Sequence, residues 1–147
     1  AGSIAASDIS DAMVTETKRR AADAKLDLSR LTFTTSDLES LQGCFHTVIC
    51  LDVFIHYPQQ AAEEMVRHLC GLTQESLLVS FAPYTPLLAL LKRIGQLFPG
   101  PSKTTRAYTL REDGIIKAAM GCGFEPIRSK LNQAPFYFSR LIEFKKS

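Results

Sequence analysis

Three side chains that can bind a ligand or move a proton stand at predicted strand ends: Asp8, Asp37 and His56. Each comes where a short apolar or β-branched run stops. Open α/β sheets bind ligands outside the carboxyl ends of their strands, so we expect the three along one rim. A polar residue at one strand end is commonplace. Three on one rim favour a ligand site.

The two aspartates suit a nucleotide-like ligand. A carboxylate that ends a strand can accept hydrogen bonds from both ribose hydroxyls, and Asp8 is placed for that role. Asp37 can receive an adenine amino group, with Leu38 against the ring. A helix N-cap explains both carboxylates without any ligand, so that alternative stays open.

The stretch CLDVFIHYP, residues 50–58, belongs to a predicted strand over 47–53 that ends near His56. Asp52 is either a paired buried carboxylate or the residue at which the strand opens onto a ligand. His56 either faces a ligand at the end of the sheet or is a strand-end histidine satisfied by the backbone. Tyr57 can be a core aromatic with a surface hydroxyl.

The elements that must position these residues alternate between strand and helix. Ser10 is predicted to cap the start of the first helix, and Gly71 is predicted to stop the second. Thr109 and Glu112 are predicted to form a capping box for the last. The alternation predicts an α/β sheet, parallel with an antiparallel edge. Strands are predicted over 3–7, 31–35, 47–53 and 77–81, helices over 11–24, 59–70, 86–98 and 110–120, and a closing hairpin over 124–131 and 136–144.

The composition is that of one globular domain. The 147 residues are 46% hydrophobic and carry a net charge of +2, which disfavours a dedicated nucleic-acid binder. The four cysteines form no CxxC pair: Cys44, Cys50, Cys70 and Cys122. Cys50 and Cys70 lie in apolar runs, so buried free thiols are expected rather than disulfides or metal ligands. No apolar run reaches the roughly 18 residues of a membrane span.

Six segments resemble one enzyme family: AASDISDAMV, DLESL, VICLDVFIHYP, LLVSFAP, LKRIGQLFPGPSKTTRAY and FYFSRLIE. Together they resemble the magnesium-protoporphyrin IX O-methyltransferases of chlorophyll biosynthesis. ASDIS and DLESL are shared in form with many S-adenosylmethionine-dependent methyltransferases. LDVFIHYP, FPGPSKTTRAY and FYFSRLIE are far more specific. The resemblance covers nearly the whole chain.

This resemblance implies a fold and a set of site residues. The fold is a Rossmann-like class I methyltransferase sheet in a single domain over 1–147, with a substrate-covering arm around 84–108. S-adenosylmethionine is the implied cofactor, with S-adenosylhomocysteine as product and no metal, and His56 is the implied catalytic residue. The implied cofactor-binding residues are Asp8, Ile9, Asp37, Leu38 and Leu51, and the implied substrate-binding residues are Tyr57, Lys92, Arg93, Lys103, Arg106 and Arg140.

The family's first strand and glycine-rich loop are expected upstream of Ala1. That strand is central in the family's sheet, so we expect two unpaired strand edges in this chain. We also expect the 147 residues alone to fold poorly and to lack methyltransferase activity.

The resemblance also implies magnesium-protoporphyrin IX as substrate, magnesium chelatase as a further partner, no nucleic acid and at most peripheral membrane association. The implied location is the chloroplast in a plant or alga and the cytoplasm in a bacterium. Two alternatives stay open: a methyltransferase for another small molecule, and a non-catalytic nucleotide-binding module. Charges around the Pro/Gly turn near residue 100 are equally explained as a solvated surface.

Overall fold

A computed structural model describes residues 2–84, 108–134 and 137–147. It contains two compact units, Ala1–Gln42 and Gly43–Ser147. The predicted helix over 86–98 lies outside the described residues.

The first unit is a two-stranded parallel sheet with one helix between its strands. β1 (Ile4–Asp8) pairs with β2 (Leu31–Thr35), and α1 spans Asp11–Asp23. Ser10 is the N-cap of α1, as predicted, because its hydroxyl accepts a hydrogen bond from the backbone N–H of Met13 at 3.4 Å. The predicted bounds of all three elements are confirmed to within one residue.

The second unit is a mixed sheet with the strand order β3-β4-β6-β5. β3 and β4 are parallel, whereas β4–β6 and β6–β5 are antiparallel, so the predicted parallel sheet with a closing hairpin is confirmed. The strands are β3 (Phe45–Cys50), β4 (Thr73–Phe81), β5 (Phe124–Ala134) and β6 (Tyr137–Lys146).

Two helices of the second unit, α2 (Gln59–Leu72) and α3 (Glu112–Met120), pack against each other. Side chains from these helices and from the central strands form a core. The largest fully buried side chains are Phe54, Phe81, Phe124, Phe144, Leu69, Leu77, Leu110, Ile115, Ile142, Val66 and Val79.

Two predicted helix boundaries were wrong. α2 extends two residues beyond its predicted end, through Gly71 to Leu72, because burial of the Leu72 side chain favours continuing the helix over a glycine stop. The capping box of Thr109 and Glu112 does not form. Instead, the side chain of Gln59 accepts a hydrogen bond from Arg111 N at 2.8 Å and donates one to Arg111 O at 3.4 Å, so α2 caps α3.

Each sheet has an unpaired edge among the described residues. β1 pairs only with β2, and β3 only with β4. Ile49 on β3 is 60% exposed. The prediction of two unpaired strand edges is therefore confirmed for the described part of the chain. Over those same residues, none of the helices combines the length and the apolar character that a membrane crossing needs.

Candidate active site

Asp8 and Asp37 lie at the same end of the first unit's sheet. Asp8 closes β1 opposite Thr35, the last residue of β2. The backbone N–H of Ser36 donates a 3.0 Å hydrogen bond to the carbonyl of Asp8, which holds the start of the following turn beside it. Two carboxylates are thus placed at the carboxyl ends of two neighbouring parallel strands, where open α/β sheets bind their ligands.

Both carboxylates make local hydrogen bonds and stay exposed. Asp8 Oδ1 accepts from Ser10 N at 2.8 Å, and Asp37 Oδ1 accepts from Ser40 N at 2.9 Å. The hydroxyl and the backbone N–H of Ser40 lower the pKa of Asp37. No helix begins directly after Asp37, so its carboxylate closes a turn and is not part of a capping box. An ionised carboxylate has about four lone-pair sites, which leaves acceptor capacity for a ligand.

Apolar side chains stand beside these carboxylates. Ile9, directly after β1, is 77% exposed, while Leu38 is half-buried. An exposed isoleucine next to two acceptor carboxylates is a chemically suitable surface for a nucleoside, whose base is flat and whose ribose donates hydrogen bonds.

In the second unit, the predicted strand over 47–53 is too long. β3 ends at Cys50, and Asp52 has a positive φ of 58°. The chain then forms a 3-10 turn over Phe54–His56. His56 therefore does not follow directly on a strand. The strand ends early because of tertiary contacts: side chains of two other strands hold Asp52 in the left-handed conformation.

Asp52 is a paired carboxylate, as one of the two predicted alternatives states, but the residue is exposed and not buried as that alternative assumed. Its Oδ1 accepts from the Ser80 hydroxyl at 2.9 Å and from the Ser139 hydroxyl at 3.2 Å. Its backbone N–H donates to Ser80 Oγ at 2.8 Å. We call Asp52, Ser80 and Ser139 the Asp52 network. It fixes the chain where β3 ends.

Sequence reasoning missed Ser80 and Ser139. Each is only 4% exposed and stands in an apolar strand, in LLVSF and FYFSR. A lone serine within such a run is the available signal, because a buried hydroxyl requires a hydrogen-bond partner.

The 3-10 turn over Phe54–His56, which we call the His56 turn, presents His56 on the surface. Phe54 is fully buried and anchors the turn, whereas the His56 side chain is exposed. Among the described residues the His56 imidazole has no hydrogen-bond partner. Tyr57 is half-buried, and its ring meets that of Phe54 edge-on, with centroids 6.4 Å apart. Leu51, before the turn, is 54% exposed.

The described residues that flank the predicted arm are tied to this turn. Tyr108 N donates to Ile55 O at 2.8 Å. Tyr84 N donates to Leu110 O at 2.7 Å, and Leu110 N donates to Ala82 O at 2.9 Å. The two flanking segments are therefore anchored beside the residues that carry His56. The predicted arm cations themselves, Lys92, Arg93, Lys103 and Arg106, lie outside the described residues.

Arg140 has protein partners. Its Nε lies 3.0 Å from Glu112 Oε2, and its Nη1 donates to Ser129 Oγ at 3.2 Å. Arg140 pairs with Phe81 across the β4–β6 ladder, so it sits at the carboxyl end of β4. The Arg140 side chain is 25% exposed.

Two buried thiols, those of Cys50 and Cys70, have raised pKa values and low reactivity. Burial, followed by the charge of Asp52, raises the pKa of Cys50 to about 12. Burial, followed by the nearby Cys122, raises the pKa of Cys70 to about 12. Both thiols therefore stay protonated at neutral pH. The expected burial of Cys50 and Cys70 is confirmed, and neither is a nucleophile.

Comparisons with known proteins match both parts of the chain. Residues 50–146 match the family model described as "Magnesium-protoporphyrin IX methyltransferase C-terminus". Residues 1–75 match the model of a methyltransferase domain. The first of these matches begins at the end of β3 and includes every described residue of the His56 turn.

Two curated proteins are similar over nearly the whole chain. The chloroplastic magnesium protoporphyrin IX methyltransferase of Arabidopsis thaliana is 49% identical, over 95% of this chain and 45% of that protein. The magnesium-protoporphyrin O-methyltransferase of Synechocystis is 47% identical, over 96% of this chain and 61% of that protein. This chain thus spans about half the length of these relatives.

A solved structure has the same fold. The Synechocystis magnesium protoporphyrin IX methyltransferase with bound S-adenosylhomocysteine superposes with a TM-score of 0.88 and 43% identity, over 99% of this chain and 64% of that one. The sheet is accordingly a part of a class I methyltransferase fold. The chain belongs to the magnesium-protoporphyrin IX methyltransferase family, whose C-terminal region it matches.

Proposed function

We propose that the protein containing this chain methylates one propionate of magnesium-protoporphyrin IX in chlorophyll biosynthesis. S-adenosylmethionine is the methyl donor, and the products are the monomethyl ester and S-adenosylhomocysteine. The bond from the carboxylate oxygen to the methyl carbon forms as the bond from sulfur to that carbon breaks. The observation that carries the proposal is the identity of 47–49% to magnesium-protoporphyrin methyltransferases across nearly the whole chain.

The first unit offers suitable groups for the donor's nucleoside. When bound, S-adenosylmethionine supplies an electrophilic methyl group on a sulfonium. Asp8 would accept hydrogen bonds from the ribose hydroxyls and Asp37 one from the adenine amino group. Ile9 and Leu38 would contact the adenine ring. In the second unit, Leu51 is the exposed apolar side chain assigned to the same cofactor.

His56 is assigned as the residue that positions the acceptor. A propionate, with a pKa near the ~4.3 of glutamate, is already ionised at neutral pH, so the reaction needs no strong base. Alignment of the acceptor can supply roughly 7–11 kcal/mol of the barrier reduction. The exposed His56 imidazole, on a turn whose Phe54 is fully buried, can donate a hydrogen bond to the carboxylate from a fixed place.

The remaining substrate contacts are assigned to aromatic and cationic groups. Tyr57 would form a wall for the macrocycle, and Arg140 would contact a propionate. The arm cations are proposed to pair with the propionates because Arg and Lys form charge-assisted hydrogen bonds with carboxylates. These cations are Lys92, Arg93, Lys103 and Arg106.

Partners and location follow the same proposal. Magnesium chelatase, whose product is the substrate, is proposed as a partner that delivers the porphyrin. Membrane association is proposed to be peripheral at most. The Arabidopsis relative is named chloroplastic, so a plant or algal protein is assigned to the chloroplast and a bacterial one to the cytoplasm.

The test is ester formation by the full-length protein from magnesium-protoporphyrin IX and S-adenosylmethionine, followed by chromatography. His56→Ala should lower kcat by roughly 100-fold, because positioning is lost, while S-adenosylhomocysteine affinity stays nearly constant. His46→Ala is the matched control, since His46 is also exposed but lies at the start of β3.

Three outcomes contradict the proposal or parts of it. Absence of ester with the wild-type protein refutes the substrate assignment, and turnover on another acid or quinone favours that alternative. Binding of S-adenosylhomocysteine without turnover of any acceptor favours a non-catalytic module. Equal losses of kcat and cofactor affinity in His56→Ala refute its role. Residues 1–147 alone should show no turnover.

A further inference from the structure

Two buried serines converge on Asp52, which lies two residues before the His56 turn. Ser80 and Ser139 are each 4% exposed and come from neighbouring strands, β4 and β6. They stand 28 and 87 residues away from Asp52 in the sequence. Both hydroxyls nevertheless lie within hydrogen-bond distance of the same carboxylate oxygen.

The strand register explains this convergence. Ser80 lies directly opposite Leu141 in the antiparallel β4–β6 pair, so the two side chains share one face of the sheet. Ser139 lies two residues before Leu141 and therefore points to that same face. The two hydroxyls are diagonal neighbours at the end of the sheet where β3 stops.

The hydrogen-bond inventory leaves one consistent assignment at Ser80. A serine hydroxyl has one proton and two lone pairs. The proton goes to Asp52 Oδ1 at 2.9 Å, and a lone pair accepts the backbone N–H of Asp52 at 2.8 Å. Ser80 thus holds both the side chain and the main chain of Asp52, which fixes its left-handed φ of 58°.

The conformation of Asp52 sets the path to His56. Val53 is helical, and His56 N donates to Val53 O at 3.2 Å, so the turn follows directly from the anchored residue. On the other side, Tyr108 N holds Ile55 O. The main chain of His56 is therefore held between the Asp52 network and one further backbone hydrogen bond.

We propose that Asp52, Ser80 and Ser139 are positioning residues that set the place of the His56 imidazole. They act through the main chain of the turn and do not touch the substrate. This inference rests on the proposed function, because methyl transfer supplies its kinetic readout. It predicts a loss of turnover without a matching loss of cofactor affinity.

The first test compares two buried hydroxyls on β4 in the full-length protein. Ser80→Ala should lower kcat for ester formation by roughly 10- to 100-fold, since small misplacements have effects of this size. Thr73→Val is the matched control, because Thr73 is 3% exposed and donates to Leu69 O at 2.7 Å at the opposite end of the strand. It should lower the Tm similarly and leave kcat unchanged.

The second test changes Asp52. Asp52→Asn keeps a side-chain oxygen that accepts both hydroxyl protons, and asparagine tolerates positive φ, so kcat should stay within about fivefold of wild type. Asp52→Ala removes the acceptor and should resemble Ser80→Ala. Affinity for S-adenosylhomocysteine should change by less than about threefold in all variants.

Hydrogen exchange over residues 51–57 separates failure of this inference from failure of the proposed function. Ser80→Ala should accelerate exchange in this segment, and Thr73→Val should not. If the wild-type protein forms no ester, the proposed function fails, and exchange alone decides the positioning role. Equal kcat losses in Ser80→Ala and Thr73→Val, or unchanged exchange in Ser80→Ala, overturn the inference.

Discussion

The two units of the chain are stabilised in different ways. In the described part of Ala1–Gln42, Ala21 alone is buried, while large apolar side chains such as Ile4, Ile9 and Met13 are exposed. Gly43–Ser147 contains all the fully buried aromatic and aliphatic side chains of the described residues. A sheet of two strands is marginal by itself, whereas four strands covered by helices bury a core.

The two units also differ in how far apart in the sequence their hydrogen-bonded and ion-paired residues lie. In the first unit most of them are short in sequence: Ser10 caps its own helix, and Glu16 pairs with Arg19 and Arg20. Its longer-range side-chain hydrogen bonds include those from Arg30 to Gly2 O and from Thr35 to Asp11, which span 28 and 24 residues. In the second unit they join distant elements, as Gln59 does with Arg111. The side-chain interactions of the first unit are therefore mainly local and its two strands are joined by the β1–β2 ladder, whereas the second unit depends on a packed core.

A core truncation should expose this difference most strongly. Phe144 is fully buried, so Phe144→Ala should lower the free energy of unfolding of the full-length protein by about 3–5 kcal/mol. Met13→Ala, at a side chain that is 54% exposed, should change it by less than about 0.5 kcal/mol. Urea unfolding measures both, and comparable losses would show that the first unit also relies on packing.

Removing one helix cap in each unit should have a smaller effect. Ser10→Ala should cost about 1 kcal/mol and accelerate hydrogen exchange at the start of α1 alone. Gln59→Ala should cost about as much, since it removes a hydrogen bond of 2.8 Å, but the faster exchange should appear at Arg111, the N-cap residue of α3. Exchange confined to α2 in Gln59→Ala would contradict the tertiary cap.

The smallest effect should be electrostatic. Hydrogen bonds from Arg19 and then Arg20 lower the pKa of Glu16 to about 2 from its usual 4.5. Because the folded pKa is depressed, the stabilisation is present above pH 4.5 and is lost as the pH falls toward 2.

Glu16→Gln should therefore remove this pH dependence from hydrogen exchange in α1, and salt should weaken the wild-type effect. Glu75 is the contrasting case, because Lys145 of β6, and then His46 of β3, lower its pKa. Glu75→Gln should change exchange in strands of the second unit. An effect of Glu16→Gln outside α1 would argue against a purely local pair.

Much of the fold was predictable because its signals are local. The β-branched residues of LTFTT predicted β2, and the Ser10 cap predicted the start of α1. The hairpin of β5 and β6 followed from two adjacent strand-like runs. The predicted end of β3 at residue 53 was wrong, because no local signal in CLDVFIHYP reports hydroxyls 28 and 87 residues away.

The sequence by itself determined the elements, the family and the identity of candidate residues such as Asp8, Asp37 and His56. These depend on periodicity, caps and motif residues, which are readable along the chain. Only the tertiary structure decided that Asp52 is a paired carboxylate and that His56 stands on a 3-10 turn. The reason is that strand register brings Ser80 and Ser139 to one face, and that register is set by packing.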